Sequence, residues 1–383
     1  MERLLKRLGL AAALTLLLCA GCAKAPDAPV SPIAPPADTE TPEALYERAL
    51  QEDVLIVYAV STRVTAVKEA FEAAYPGLCV EVRDLRSPDL VDAVEANHQK
   101  GLSDCDVVLC NDNSGDFQSR LVDTGIVVPY LPADLAVHWK ESASGGVLPF
   151  VYEAELLFYN GDKYQSCPVD NLWALTEDRW RGRIYMPNPL RSFSTYAFCA
   201  ATFAHLGELE AAYRDYAGAE LPIPEGSSAA AVFWERMANN LVFTNSSDEV
   251  AEALGNGDAD FGVMVSSKLR LRGVGYAVEP VWRLNPFAGC RTSYAAMLDA
   301  NAKNINAAKL FLRFLMGEAD GRGEGYKPFC APGTWSARDD VPDGTDVPLS
   351  QIDLIVPDQT LMVSQRAEME QFWTEILKAH LPQ

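Results

Sequence analysis

Between Val54 and Cys110 the chain passes twice from a short apolar run into a segment of helical period and closes on a third apolar run. Val54-Leu-Ile-Val-Tyr-Ala-Val60 is continuous and β-branched, the composition of a strand buried on both faces. Ser61-Thr62 then supplies capping hydroxyls ahead of Val64, Val67, Ala70, Phe71 and Ala74, which share one helical face. Pro76-Gly77 stops that helix, and Cys79-Val-Glu-Val-Arg-Asp-Leu85 alternates as a second strand. Ser87-Pro88 places a cap and a proline at the start of a second helix reaching His98. Cys105-Asp-Val-Val-Leu-Cys110 is the third strand, and it ends in the polar turn Asn111-Asp112-Asn113-Ser114-Gly115. Strand, helix, strand, helix, strand implies an α/β fold with a parallel sheet covered on both faces.

A second series follows. Val147 to Asn160 is an unusually long strand-like stretch, long enough to pass between two domains. Trp173 to Arg183 reads as a short helix and turn before Ile184-Tyr-Met, and Pro187 to Thr195 leads into an apolar helix from Tyr196 to Leu206, so a second α/β unit begins near Tyr164. Helices are expected over Val232 to Leu241 and Asp248 to Leu254, with a buried strand from Asp260 to Val265 ending at Ser266-Ser267. Ala307 to Met316 and Ser364 to Ala379 are further helices, the last with Met369, Phe372, Trp373, Ile376 and Leu377 suited to a domain seam. The folded region, roughly 340 residues, exceeds what one hydrophobic core usually holds. The expected division is a first α/β lobe over 43–160, a second over 161–290, and a return to the first lobe with C-terminal helices over 291–383.

The N-terminus addresses the protein. Arg3, Lys6 and Arg7 precede an apolar run from Leu8 to Ala20, the pattern of a secretory signal over 1–21. Ala20-Gly21-Cys22 resembles the lipobox of bacterial lipoproteins, with Cys19 where leucine is usual, and the resemblance implies lipidation at Cys22. Residues 22–42 are dense in proline and poor in apolar bulk, which suits an extended, disordered tether. These features together predict an exported protein anchored by lipid to the outer face of the bacterial cell membrane.

Acidic residues number 53 against 32 basic, and loss of Glu2, Arg3, Lys6 and Arg7 with the leader takes the net charge from -21 to -23. Such a surface excludes nucleic acid as a natural partner. Seven of the nine cysteines follow Cys22, an odd number that forbids complete internal pairing. Cys79, Cys105, Cys110 and Cys199 sit among apolar neighbours as buried thiols do, and a Cys290 to Cys330 bridge stays open. None of these seven forms a C-x-x-C pair that would suggest zinc.

Several segments, in this order, resemble bacterial ABC-transporter substrate-binding proteins of the ferric, hexose-phosphate and phosphonate-binding branch. They are Val54 to Thr62, the Asp106-Val-Val-Leu strand, Phe150 to Asn160, Asp178-Arg-Trp-Arg-Gly-Arg-Ile-Tyr-Met-Pro-Asn-Pro, and Asn306-Ala-Ala-Lys-Leu-Phe-Leu-Arg-Phe-Leu. The resemblance implies a two-lobed periplasmic-binding-protein-like fold of type 2, a small-molecule solute gripped between the lobes, and delivery to a membrane permease by a monomer. Ferric members of that branch use an adjacent Tyr-Tyr pair; this sequence has none and carries Ser266-Ser267-Lys268 at the matching place. The expectation is therefore no metal and no cofactor.

What remains is a cleft of hydroxyls and helix starts, where unpaired N–H groups and the helix dipole suit phosphate or carboxylate. The candidate ligand residues are Ser61 and Thr62, Asn113 and Ser114, Arg191, Ser192, Ser194 and Thr195, and Ser266 and Ser267. Tyr152, Glu153 and Glu155 on the crossing strand read as surface or hinge residues. A secreted hydrolase is the rival class, but none of G-x-S-x-G, H-E-x-x-H, Walker A or G-x-G-x-x-G occurs. A surface adhesin would leave two α/β units with Ser-capped turns unexplained.

Overall fold

In the computed structural model, which describes residues 38–111, 114–140, 147–317 and 323–380, the chain enters through a capped helix. The Thr41 hydroxyl accepts from the Ala44 N–H at 3.3 Å and starts α1 (Pro42–Ala49). The first series then forms as β1 (Leu55–Ala59), α2 (Val64–Ala74), β2 (Val80–Asp84), α3 (Ser87–Gln99) and β3 (Val107–Cys110). Short elements β4 (Val127–Val128) and α4 (Ala133–Ala136) lead to β5 (Pro149–Asn160), a twelve-residue strand. The second series is β6 (Ile184–Pro187), α5 (Phe193–Ala201), α6 (Leu206–Ala217), α7 (Ala229–Ala238), β7 (Leu241–Thr244), α8 (Ser247–Gly255) and β8 (Phe261–Val265). After it come β9 (Val278–Pro280), β10 (Gly289–Asp299), α9 (Ile305–Leu315), β11 (Trp335–Ser336), β12 (Leu354–Ile355), α10 (Gln359–Ser364) and α11 (Arg366–His380).

Strand order is β2-β1-β3-β10-β5-β8-β6-β7. The β1–β2, β1–β3, β6–β7 and β6–β8 pairs are parallel, whereas β10 runs antiparallel to β3 and β5, and β5 antiparallel to β8. Two parallel triplets thus flank a central pair of long antiparallel strands. The first triplet is covered by α1, α2 and α9, where Phe71 meets Phe311 at 5.2 Å and Phe314 at 5.6 Å. The second is covered by an aromatic core in which Trp234 meets Trp373 of α11 at 5.3 Å and Phe233 meets Trp173 at 5.2 Å. Edge-to-face rings at these separations add to the burial of their area. From the other end of α11, Arg366 reaches Asp116, just past β3, at 2.7 Å.

Some local expectations change. Trp173 to Arg183 is two 3-10 turns, Leu172–Thr176 and Asp178–Trp180. The helix expected from Tyr196 begins at Phe193, because Ser192 rather than a later residue caps it, and α6 is a separate helix. Cys79 is exposed rather than buried, since β2 begins one residue later; none of the seven described cysteines is in a disulfide, Cys290 and Cys330 included. Glu153 and Glu155 are fully buried rather than at the surface, because β5 is covered on both faces. Among the described residues no helix is long and apolar enough to cross a membrane. The leader, Cys22 and most of the tether lie outside them.

Candidate functional site

Parallel strands point their carboxyl ends the same way, so whatever follows them gathers at one edge of the sheet. Here the residues after six strands line one cleft of about 400 Å³. Val60 to Arg63 follow β1, Leu85 to Ser87 follow β2 and Asn111 follows β3; from the other triplet, Arg191, Ser192 and Ser194 follow β6, Asn245 to Asp248 follow β7, and Ser267, Lys268 and Arg270 follow β8. Helices α2, α3, α5 and α8 all begin at this wall. Each brings N–H groups without intrahelical partners and a positive dipole end. Ser192 and Ser246 cap α5 and α8 by accepting from the N–H groups of Thr195 at 3.4 Å and Glu249 at 3.3 Å.

The charge of the wall opposes that of the molecule. Arg63, Arg86, Arg191, Lys268 and Arg270 line it, against the carboxylates of Asp84 and Asp248. Arg63 is bound to the interior: its Nη2 donates to Glu153 Oε1 at 2.5 Å, and its guanidinium lies 4.4 Å from the Phe329 ring centre. Burial works against that charge, yet Glu153 outweighs it and holds the Arg63 pKa above its ordinary value. Lys268 pairs with Asp248, and burial pulls its ammonium below the usual lysine range with Asp248 restoring part of the loss. Burial, and after it the Arg63 charge, pull Arg270 down as well. Arg86, Arg191 and Arg270 have no carboxylate partner among the described residues. Burial pushes the Asp84 carboxyl upward.

Of the residues singled out in the sequence, Ser61, Thr62, Arg191, Ser192, Ser194 and Ser267 line the cleft. Thr195 and Ser266 lie behind the wall: Thr195 Oγ1 donates to Glu155 Oε1 at 2.6 Å, and Ser266 Oγ accepts from the Ala154 N–H at 2.9 Å. Ser114 is wholly buried, accepts from the Asp116 N–H at 3.3 Å and does not reach the cleft; Asn113 lies outside the described residues, and Asn111 faces the cleft in that turn. The sequence did not single out Arg63, Arg86, Asn245 to Asp248, Lys268 or Arg270, which also line the cleft. One signal was available, since Ser246-Ser-Asp-Glu249 is a capping-box pattern. The arginines gave none, because their convergence depends on the sheet. His138, Asp339 and Asp340 form the one metal-competent group among the described residues; none lines the cleft, and Arg338 engages Asp340 at 2.9 and 2.7 Å.

A family model described as bacterial extracellular solute-binding protein matches residues 54–321. A search of curated proteins finds no match. Solved structures of the same fold include the substrate-binding protein of an ABC transporter from Agrobacterium tumefaciens, with 15% identity over 85% of this chain and 94% of that one and a TM-score of 0.67. AfuA from Actinobacillus pleuropneumoniae, with exogenous fructose-6-phosphate bound, shares 16% identity over 85% and 98% at a TM-score of 0.64. Iron-bound HitA from Pseudomonas aeruginosa shares 16% over 84% and 99% at 0.61. At such identities the likeness is one of fold, the two-lobed fold of periplasmic binding proteins.

Proposed function

Because the chain belongs to the bacterial extracellular solute-binding proteins, exported transport proteins that serve ABC importers and not enzymes, we propose that its solute is a small anion bearing phosphate or carboxylate. The observation that carries this reading is the wall itself: four helix N-termini and three guanidinium groups without carboxylate partners among the described residues meet in one cleft of a chain whose net charge is -21. The charge of Arg63, after the first triplet, opposes that of Arg270, after the second, and an anion beside them would offset that repulsion. A cation such as ferric iron would meet the same guanidiniums with no phenolate pair to bind it. Cys22 carries the lipid, residues 22–42 tether the folded part to the outer face of the membrane, and the loaded monomer docks on the permease.

Mass spectrometry of small molecules that co-purify with the mature protein, followed by calorimetry, tests the reading. An anionic solute bound without metal is expected. A neutral or cationic solute, or binding abolished by a chelator and restored by ferric iron, overturns it. Cys22→Ala is expected to move the protein from membranes to the medium; unchanged membrane attachment places the anchor elsewhere.

A further inference from the structure

From the start of α5 a chain of hydroxyls runs inward and ends on a carboxyl group. Ser194 Oγ and Ser192 Oγ, both on the cleft wall, lie 3.2 Å apart; Ser192 Oγ lies 3.1 Å from Thr195 Oγ1, and Thr195 Oγ1 lies 2.6 Å from Glu155 Oε1. Thr195 and Glu155 have no exposed surface; among the described residues no hydrogen bond reaches Glu155 Oε2 at ordinary geometry, although the Ser194 hydroxyl lies close enough to favour the ionised carboxylate. Around Glu155 stand Ser194, Thr195 and Cys199 from α5, Cys290 from β10, Val265 in register on β8, and Glu153 on its own strand. Glu153 is the charged group that acts on it, and the nearby cations are engaged elsewhere: Arg63 on Glu153, and Arg291 over the Tyr152 ring at 5.2 Å.

Each hydroxyl has one proton to donate, so the state of Glu155 sets the direction of the whole chain. Ionised, Glu155 only accepts: Thr195 donates to it, the Ser194 hydroxyl is drawn toward it, Ser192 donates to Thr195, and the wall turns lone pairs toward the cleft. Protonated, Glu155 donates to Thr195, Thr195 donates to Ser192, and the hydroxyls of Ser192 and Ser194 are free to donate to a ligand. A neutral Glu155 also removes a negative charge from behind the wall. We propose that the cleft takes up its anion together with one proton, which rests on Glu155 and acts on the ligand through Thr195 and Ser192. This rests on the anionic reading of the cleft. Burial pushes the Glu155 carboxyl up to about 7, so the proton exchanges near neutral pH. Linkage makes the effect reciprocal: whatever the proton adds to anion affinity, the anion adds to proton affinity.

Sulfate keeps its charge across this range and is the probe. Its affinity for the full mature protein should fall above about pH 7, approaching about tenfold per pH unit where uptake of one proton is obligatory. In Glu155→Gln the affinity should be flat with pH. The protonated-carboxyl infrared band, taken as wild type minus Glu155→Gln, should titrate near neutrality and shift to higher pH when sulfate is added. Thr195→Val combined with Ser194→Ala should leave the band titrating while sulfate no longer moves it, an uncoupling that a merely structural Glu155 does not produce. The same pH slope in Glu155→Gln as in wild type, or a band that sulfate leaves in place in the wild type, overturns the inference while the anionic reading stands. Sulfate that fails to bind at any pH overturns both.

Discussion

Glu153 and Glu155 stand two residues apart on one face of β5, equally inaccessible to water, and are neutralised by different means. Glu153 faces the first triplet and holds the Arg63 guanidinium, so its charge is balanced by another charge. Glu155 faces α5 and meets hydroxyls, and burial pushes its carboxyl up to about 7, so its charge depends on pH. Burial therefore does not by itself decide whether a carboxyl group is ionised; the neighbour does. One strand thus carries a carboxylate paired with a cation on one side and a carboxyl set among hydroxyls on the other.

The most severe way to break this contrast is Glu153→Gln, which leaves Arg63 buried without a counter-charge and should cost about 3–5 kcal/mol of stability in denaturant unfolding. Adding Arg63→Gln should recover much of that loss; a single mutant as stable as wild type would mean the pair is not what keeps the charge inside. Next comes the pH profile of stability. A carboxyl raised from 4.5 to about 7 contributes stability that is fully present below about pH 4.5 and is lost as pH rises through 7. The wild-type minus Glu155→Gln difference should fall by on the order of 3 kcal/mol across that window, and a flat difference contradicts the assignment. Arg191→Ala should weaken an identified ligand by one to two decades, roughly 1.5–3 kcal/mol, with the stability of the empty protein within about 1 kcal/mol of wild type. Equal losses of affinity and stability would reduce Arg191 to a structural role. The smallest effect separates the two caps: Ser246→Ala should cost about 1 kcal/mol of stability without altering the pH slope of sulfate binding, whereas Ser192→Ala should flatten that slope.

The first βαβαβ series was legible because its signals are local: a capping serine, a proline in the first helical turn, and apolar residues at a period of two or nearly four. β5 was legible as a strand for a related reason, since the run from Val147 to Asn160 is long and mostly apolar. β10 was not. Arg291, Thr292 and Ser293 interrupt its apolar run, and its form depends on pairing with β3 on one side and β5 on the other. The helix starts of the cleft could be read from serines and threonines, which act on N–H groups three residues away. Of the cations only Arg191, beside a serine-rich helix start, could be read that way; Arg86 and Arg270 could not, because they are far apart in sequence and become neighbours of one space only when six strand ends converge. Glu153 and Glu155 were misread as surface residues for the same reason: the groups that make burial tolerable, Arg63 and Thr195, lie 90 and 40 residues away.

The convergence of six turns also bears on how such a protein changes its preferences. Each turn leaves a different strand, and the strands are held by side chains in the cores, so a turn can be exchanged while its strand stays in place. A family built this way can alter its cargo one segment at a time, and an engineer can graft a turn to make a sensor for a new analyte without redesigning the scaffold.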